Sequence, residues 1–578
     1  MLLQLYNRQM VNGNKSCFIH VLPGRLFWLY AILICAFFGR QFAGRHQSCY
    51  GDCLIITFRV NRLSYLEPKQ HPYQPLSILV ILILMLFVGF AAFDTEQAAV
   101  VFLGIKDGVV ARFDLLFNWT VSIVLLLVIV TCVHPRAKVR LGKDDDRPEF
   151  SYLAWFAMLF SAGLASGLLY WGTAEPITHM IDNPFLAMRG QTPGSAEAAV
   201  SAVTITAFHW GLHGWGLYVL VGLCIALGAY RYDLPLTFGT AFTPLTRFKP
   251  LPIRLSQSID VIAILGSVFG VATSIGLAVG GMNATLGSII DFEMSITAQI
   301  TIVAVVSFLG IFSAVSGVAR GIRLLSEINV WISVGLALVL IVVGPTLWIF
   351  EVFLRSTIDY VVNVIPMGFW TAEDAADKAW QSAWTVFYWG WWLAWAPFVG
   401  LFVARISKGR TMREFVIAVL FVPVLIILLW MSIFGGTAVH QELQLTGSVS
   451  EIVMADYSQG IVTVFGNLGS DILQLALIGT AAFLLFTWLI TSLDSATLVL
   501  CHLLRVDHLQ WMKVFWGFML GAVTCILIVV GGISALQAAS IIVGLPLAFL
   551  VLAIAVGLVR YLLMPLDDLP EKSGGISN

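Results

Sequence analysis

The sequence predicts an all-α polytopic membrane protein with about twelve transmembrane helices, and three observations carry that prediction. The 578 residues are 59% hydrophobic and only 11% charged, against roughly 25% charged in ordinary soluble domains. Apolar runs of about 18 residues or more, the length that crosses a bilayer core, recur along the chain. Between them, Lys and Arg alternate from plentiful to scarce, as expected when successive loops lie on opposite sides of a membrane. This composition argues against a soluble enzyme and against a nucleic-acid partner.

Residues 1–75 read as a segment of their own. They hold eight of the 32 Lys/Arg, four of the eight cysteines and one short apolar run, Leu26–Phe38. That run is too short for a span and has no small-residue cleavage site after it. A cytoplasmic tail, an interfacial helix and an upstream extension absent from the mature protein all stay open. The remaining cysteines, Cys132, Cys224, Cys501 and Cys525, lie in or beside apolar spans with no metal-binding spacing. A small hydrophobic role suits them.

From Pro75 onward the hydrophobic pattern places spans near 76–93, 116–133, 152–171, 198–229, 259–281, 296–316, 328–350, 383–404, 414–436, 473–491, 513–533 and 538–558. A transmembrane domain over 76–560 and a short tail over 561–578 follow. One set of alternate loops, with the tail, carries nineteen Lys/Arg, including Arg136 to Arg147 and Arg405 to Arg413; the other set carries five. The positive-inside rule then puts both termini in the cytoplasm of a multi-pass cell-membrane protein. The loops near 351–382 and 437–472 become external, the first partly helical and amphipathic.

Chemistry concentrates in the eighth span, WTVFYWGWWLAWAPFVGLFVARISKGR. Tyr388, Trp391, Trp392 and Trp395 fall at i, i+3, i+4 and i+7 and share one helical face. A face of π-clouds attracts a cation with no N–H to donate, such as a quaternary ammonium. An interfacial tryptophan belt is the competing reading, but a belt clusters at a helix end and need not line up on one face. The fourth span adds HWGLHGWGLY, with Trp210, Trp215 and Tyr218 among glycines, so two helices offer aromatic faces to one cation. His209 and His213 sit at i, i+4 in this run. With no third ligand nearby in sequence, a hydrogen-bonded structural role is preferred over a metal site.

Glycines interrupt the third span, SAGLASGLLYWGTAEP, at Gly163, Gly167 and Gly172. They allow either an unwound backbone around a cavity or small-residue helix packing. The tenth span holds Thr491, Ser492, Asp494 and Ser495. Their hard oxygens suit Na⁺, and an acidic residue within a span is a functional candidate by default.

Taken together, WTVFYWGWWLAWAPFVGLFVARISKGRTMREF, RLGKDDDRPEFSYLAWFAMLFSAG, GTAEP, HWGLHGW and TSLDS resemble the betaine/choline/carnitine transporter family over about residues 75–560. The resemblance implies two inverted five-helix repeats, about 152–350 and 383–558, in a neurotransmitter-symporter-like fold preceded by two extra helices. It implies substrate binding by Trp210, Trp215, Tyr218 and Trp392, with Trp391 and Trp395 along the inward path and Gly163, Ala165 and Gly167 in an unwound segment. It implies Na⁺ sites as well, one spanning Leu164, Thr491 and Ser492 and a second at Ser267. Homotrimers are frequent in the family, with the segment near 351–382 at the contact.

Two departures bear on substrate and ion. The stretch Gly163-Leu164-Ala165-Ser166-Gly167 replaces a more glycine-rich run, and Gly167 is not acidic as in choline-preferring members. That favours a zwitterion. In the second ion site Val271 stands where a hydroxyl is usual, which weakens that site unless Thr273 or Ser274 compensates. The resulting expectation is a secondary active importer of a small onium zwitterion, glycine betaine first, coupled to Na⁺ and using no cofactor or covalent chemistry. The alternatives are a proton-coupled or ion-independent carrier or exchanger of carnitine, choline, dimethylsulfoniopropionate or ectoine. Further off stand a transport-dead sensor and a polytopic membrane enzyme.

Overall fold

Within a bilayer every backbone N–H and C=O has to be satisfied inside its own segment, so apolar runs become helices. The computed structural model describes residues 74–163, 166–316, 319–445 and 447–565, and among these residues it contains helices and no strand beyond a single antiparallel bridge between Arg140 and Thr411. The expected N-terminal segment falls outside the described residues, apart from its last two.

The chain enters on α1 (Gln74–Phe93) and α2 (Thr95–Val133). α2 is longer than the expected span because Lys106, Asp107, Arg112 and Asp114 dilute its first half without breaking it. Its start is fixed by Asp94, whose carboxylate accepts from the Gln97 amide at 2.9 Å. The third span is two helices, α3 (Tyr152–Gly163) and α4 (Ser166–Ile181), meeting at 60°. The fourth is also two, α5 (Ala196–Trp210) and α6 (Leu212–Ala226), parted at Gly211.

Four helices follow: α7 (Ile253–Ile290), α8 (Ile296–Ser316), α9 (Ala319–Val343) and α10 (Thr346–Phe369). α10 is the expected amphipathic segment. Val352, Ser356, Tyr360 and Val364 are buried on one side, while Leu347, Leu354, Ile358 and Val361 are exposed on the other. A π-helical turn, Ser382–Val386, leads into α11 (Phe387–Arg405), then α12 (Met412–Trp430), α13 (Asp471–Leu503) and α14 (Gln510–Leu563).

Ten helices among the described residues are long and apolar enough to cross a membrane, or eleven with α3 and α4 taken as one span. α14 has 54 residues, roughly 80 Å of helix, against a bilayer core of about 30 Å. Gly531 and Gly532 break it with non-helical dihedrals, and twelve crossings are reached only when its halves are counted separately.

The Lys/Arg-rich loops lock together. Leu141 N–H donates to Arg410 C=O and Gly409 N–H to Leu141 C=O, each at 2.7 Å. The Arg410 guanidinium lies 4.0 Å from the ring centroid of Tyr152 and 4.5 Å from that of Trp155. Gly409 sits at φ +82°, and a Cβ there would meet the Arg147 carbonyl oxygen at 2.3 Å. This contact gives the KGRTM and RLGKDDDRPEF stretches a shared structural role.

Candidate functional site

The break at Gly211 starts the site. A Cβ on Gly211 would lie 2.4 Å from the Tyr360 hydroxyl and 2.5 Å from the Ala207 carbonyl oxygen, so a glycine is required where α5 gives way to α6. The Leu212 amide then donates to Tyr360 Oη (2.7 Å), and the His209 carbonyl accepts from the Trp392 indole (2.7 Å). The break at Gly211 is thereby tied to α10 and α11, and Trp392 is held in one orientation.

Every tryptophan of the α11 face is fixed through its N–H in this manner. Trp391 donates to the Gly270 carbonyl and Trp395 to Ser274 Oγ, each at 3.2 Å. With the N–H edges engaged, the ring faces are left to line space. Trp210 meets Trp392 at 5.1 Å between centroids, Trp215 meets Tyr218 at 5.4 Å, and Tyr218 meets Trp392 at 6.5 Å. These contacts are edge-to-face, the favoured arrangement for aromatic pairs. Trp391 stacks on Trp392 at 5.0 Å and 10°. The result is a continuous aromatic wall.

That wall bounds a cavity of about 280 Å³. Trp210, Trp215, Tyr218, Trp391, Trp392, Trp395 and Gly167 all line it, and so do Thr491 and Ser492. Gly167 permits the approach, since a Cβ there would meet Trp210 at 3.0 Å and Trp391 at 3.3 Å. Ser166, the first residue of α4, also faces the cavity. Amides at a helix start carry partial positive charge. The cavity therefore brings together π-faces, a helix N-terminus and hydroxyls.

Other expected residues stand elsewhere. Gly163 closes α3, and Leu164 and Ala165 lie outside the described residues. Ser267 is buried away from the cavity lining, donating to the Ala263 carbonyl at 2.9 Å. Thr273 is engaged with the Leu536 carbonyl and Ser540, whereas Ser274 does reach the cavity. Asp494 is buried but does not line it. Asn329, whose Oδ1 accepts from Thr487 at 2.7 Å, lines the cavity although its span offered no polar pattern to mark it.

The histidine pair resolves differently from the i, i+4 reading. His213 stacks on Trp389 at 5.2 Å, and neither of its ring nitrogens has a hydrogen-bond partner among the described residues. His209 instead joins Glu175 and His179 of α4, supplying the third member that the sequence spacing did not show. Glu175 Oε1 accepts from His209 Nδ1 (2.7 Å) and His179 Nε2 (3.3 Å); Oε2 accepts from Tyr388 Oη (2.5 Å) and Trp210 Nε1 (3.0 Å). All three possible ligand atoms lie within 4.8 Å of one another. A separation of 2.7 Å between His209 and Glu175 is shorter than the roughly 3.3 Å kept by two tetrahedral zinc ligands at about 2.0 Å from the ion. The cluster is a hydrogen-bond network, as a structural role for His209 requires.

Comparison with known proteins agrees with this architecture. The model for the betaine/carnitine/choline family transporter matches residues 75–565. A glycine betaine/proline/choline/ectoine transporter of Vibrio parahaemolyticus is 34% identical over 79% of this chain and 81% of its own length. The glycine betaine transporter of Bacillus subtilis is 36% identical over 77% of this chain and 86% of its own. The high-affinity choline transport protein of Escherichia coli K12 is 36% identical over 77% of this chain and 66% of its own. The chain belongs to the betaine/carnitine/choline transporter family and is a multi-pass membrane transporter, not an enzyme.

Proposed function

We propose that this transporter imports a small onium zwitterion, glycine betaine first, by alternating access driven by Na⁺. The observation that carries the reading is the convergence of Trp210, Trp215, Tyr218 and Trp392 with Ser166, Gly167, Thr491 and Ser492 on one cavity of about 280 Å³. Ligand pockets for drug-sized molecules run from about 300 Å³ upward, so this volume suits one small solute. The trimethylammonium rests against the aromatic wall, and the carboxylate turns to the amides at the start of α4. Thr491 and Ser492 offer oxygens to one Na⁺ beside it. Rocking of two inverted repeats about this site supplies alternating access. The relatives named for glycine betaine transport support the choice of solute.

A second reading, carriage without Na⁺, is favoured by one feature: Val271 offers no side-chain oxygen and Ser267 lies away from the cavity. Uptake of labelled glycine betaine by transporter-null cells, with Na⁺ or K⁺ outside, separates the two. Uptake in Na⁺ alone is expected. Equal uptake in both salts overturns the coupling, and no uptake by well-expressed protein overturns the solute.

A further inference from the structure

A second cavity lies apart from the aromatic wall. It has a volume of about 620 Å³ and runs between α2 and the segment that joins α10 to α11. Asp107, Asp114 and Leu115 line one side; Lys378, Gln381 and Val386 line the other. Gln381 fixes the second wall: its Oε1 accepts from the Ala372 amide (3.2 Å) and its Nε2 donates to the Trp370 carbonyl (3.0 Å). Asp107, Asp114, Asn118 and Ser122 follow one another at spacings of seven, four and four, so they share one face of α2. A polar stripe thus continues from the cavity into the apolar part of the helix.

Buried polar groups without partners begin where the cavity lining stops. Leu115 and Val386 are the lining residues furthest along the chain on each wall, and Asn118 and Trp389 follow them within one helical turn. Asn118 is 1% exposed, and neither of its amide atoms has a hydrogen-bond partner among the described residues. The same holds for the Trp389 indole N–H and for both ring nitrogens of His213, each residue being 0% exposed. Trp389 stacks on His213, and Phe208 packs edge-on against His213 at 4.9 Å and against Trp389 at 5.2 Å. A Cβ on Gly368 would lie 2.4 Å from His213 Nε2 and 2.6 Å from Ser122 Oγ, so the stripe on α2 comes up to the imidazole. Ser122 Oγ donates to the Gly368 carbonyl at 2.6 Å, which leaves its oxygen able to accept. In every protonation state an imidazole has a donor or an acceptor at each nitrogen. Left dry, all of these atoms would lose their hydrogen bonds to water with nothing in return.

We propose that this cavity is the mouth of an aqueous inlet, whose waters follow the polar face of α2 to Asn118, Ser122, His213 and Trp389. Those waters supply the partners that the protein does not, as ordered internal water does for buried polar groups elsewhere. Asp107 and Asp114 keep the mouth hydrated, and Asn118 and Ser122 carry the chain of waters inward. None of the inner four residues lines the onium cavity. The inlet is therefore separate from the solute path.

The test is the reaction of Ag⁺, a thiol-seeking cation small enough to follow water, with single cysteines in a cysteine-free full chain in lipid nanodiscs. Reaction is followed as the loss of thiols open to a maleimide after denaturation. Asn118→Cys is expected to react at least about tenfold faster than Thr120→Cys, because access governs the reaction of a thiol. Thr120 is as deeply buried, at 1% exposed, and lies about 200° round α2 from Asn118. Equal rates overturn the proposal, whether both are slow, as in a dry helix interface, or both fast, as in a loose one. Should Asn118→Cys not fold, Ser122→Cys, one turn further on, carries the same expectation. Thermal unfolding of His213→Phe in the otherwise native chain gives a second reading. Replacing an imidazole that water partners breaks a hydrogen-bonded chain and lowers the midpoint, whereas replacing a dry one removes two unpartnered nitrogens and raises it. A raised or unchanged midpoint overturns the proposal.

Discussion

Trp392 serves the site twice: its ring belongs to the aromatic wall and its N–H caps the carbonyl freed at the helix break, His209 C=O. Trp392→Ala is expected to weaken glycine betaine binding by about 30-fold, the equivalent of roughly 2 kcal/mol for a desolvated cation–π contact. Trp392→Phe, which keeps a weaker π-face and loses the N–H, should fall between. Titration calorimetry on the two variants checks the order. The aromatic residues were legible in the sequence because rings at helical spacing on one face are a local pattern. Glu175 was not: its partners His209 and Tyr388 lie 34 and 213 residues away, and no window of sequence joins them. One signal was available, an acidic residue adjoining an apolar span, but GTAEP read as the end of that span rather than part of its helix.

Among the elements, the broken helices decide the geometry. The glycines of the third span left an unwound backbone and small-residue packing equally open, and the 60° bend between α3 and α4 decides for an interrupted helix. In the fourth span the glycines were noted, yet the break at Gly211 became visible only through Tyr360 of α10, which fills the space a Cβ would take. Gly211→Ala is expected to destabilise the protein by about 1–3 kcal/mol, as overpacking does. Thermal unfolding in nanodiscs should show a lowered midpoint, with Tyr360→Phe milder because the ring's packing survives. The length of α2 escaped the sequence because charged residues near a membrane surface break an apolar window without breaking a helix. Gly531 and Gly532, by contrast, fall at the end of the eleventh expected span, 513–533, just before the gap that separates it from the twelfth.

For the whole molecule, charge and exposed surface carry the remaining expectations. If the Lys/Arg-rich loops face the cytoplasm, a cysteine placed at Asp145 of a cysteine-free variant is labelled by an impermeant maleimide only in inverted vesicles, and one at Ser448 only in intact cells. The opposite pattern reverses the topology. Leu347, Leu354, Ile358 and Val361 of α10 form an exposed apolar stripe, which fits the homotrimer that we propose on family grounds. Ile358→Arg together with Val361→Arg should convert trimers to monomers in light scattering; wild-type protein that is itself monomeric contradicts the assembly.

The central claim is that one cavity holds onium and Na⁺ side by side, and binding of labelled glycine betaine to purified protein in Na⁺ and in K⁺ tests it most directly. The expected result is affinity at least about tenfold higher in Na⁺. That gain should vanish in Thr491→Ala/Ser492→Ala, while Trp392→Ala loses affinity in both salts. Wild-type affinity in Trp392→Ala, or a sodium effect untouched by the double substitution, would contradict the claim.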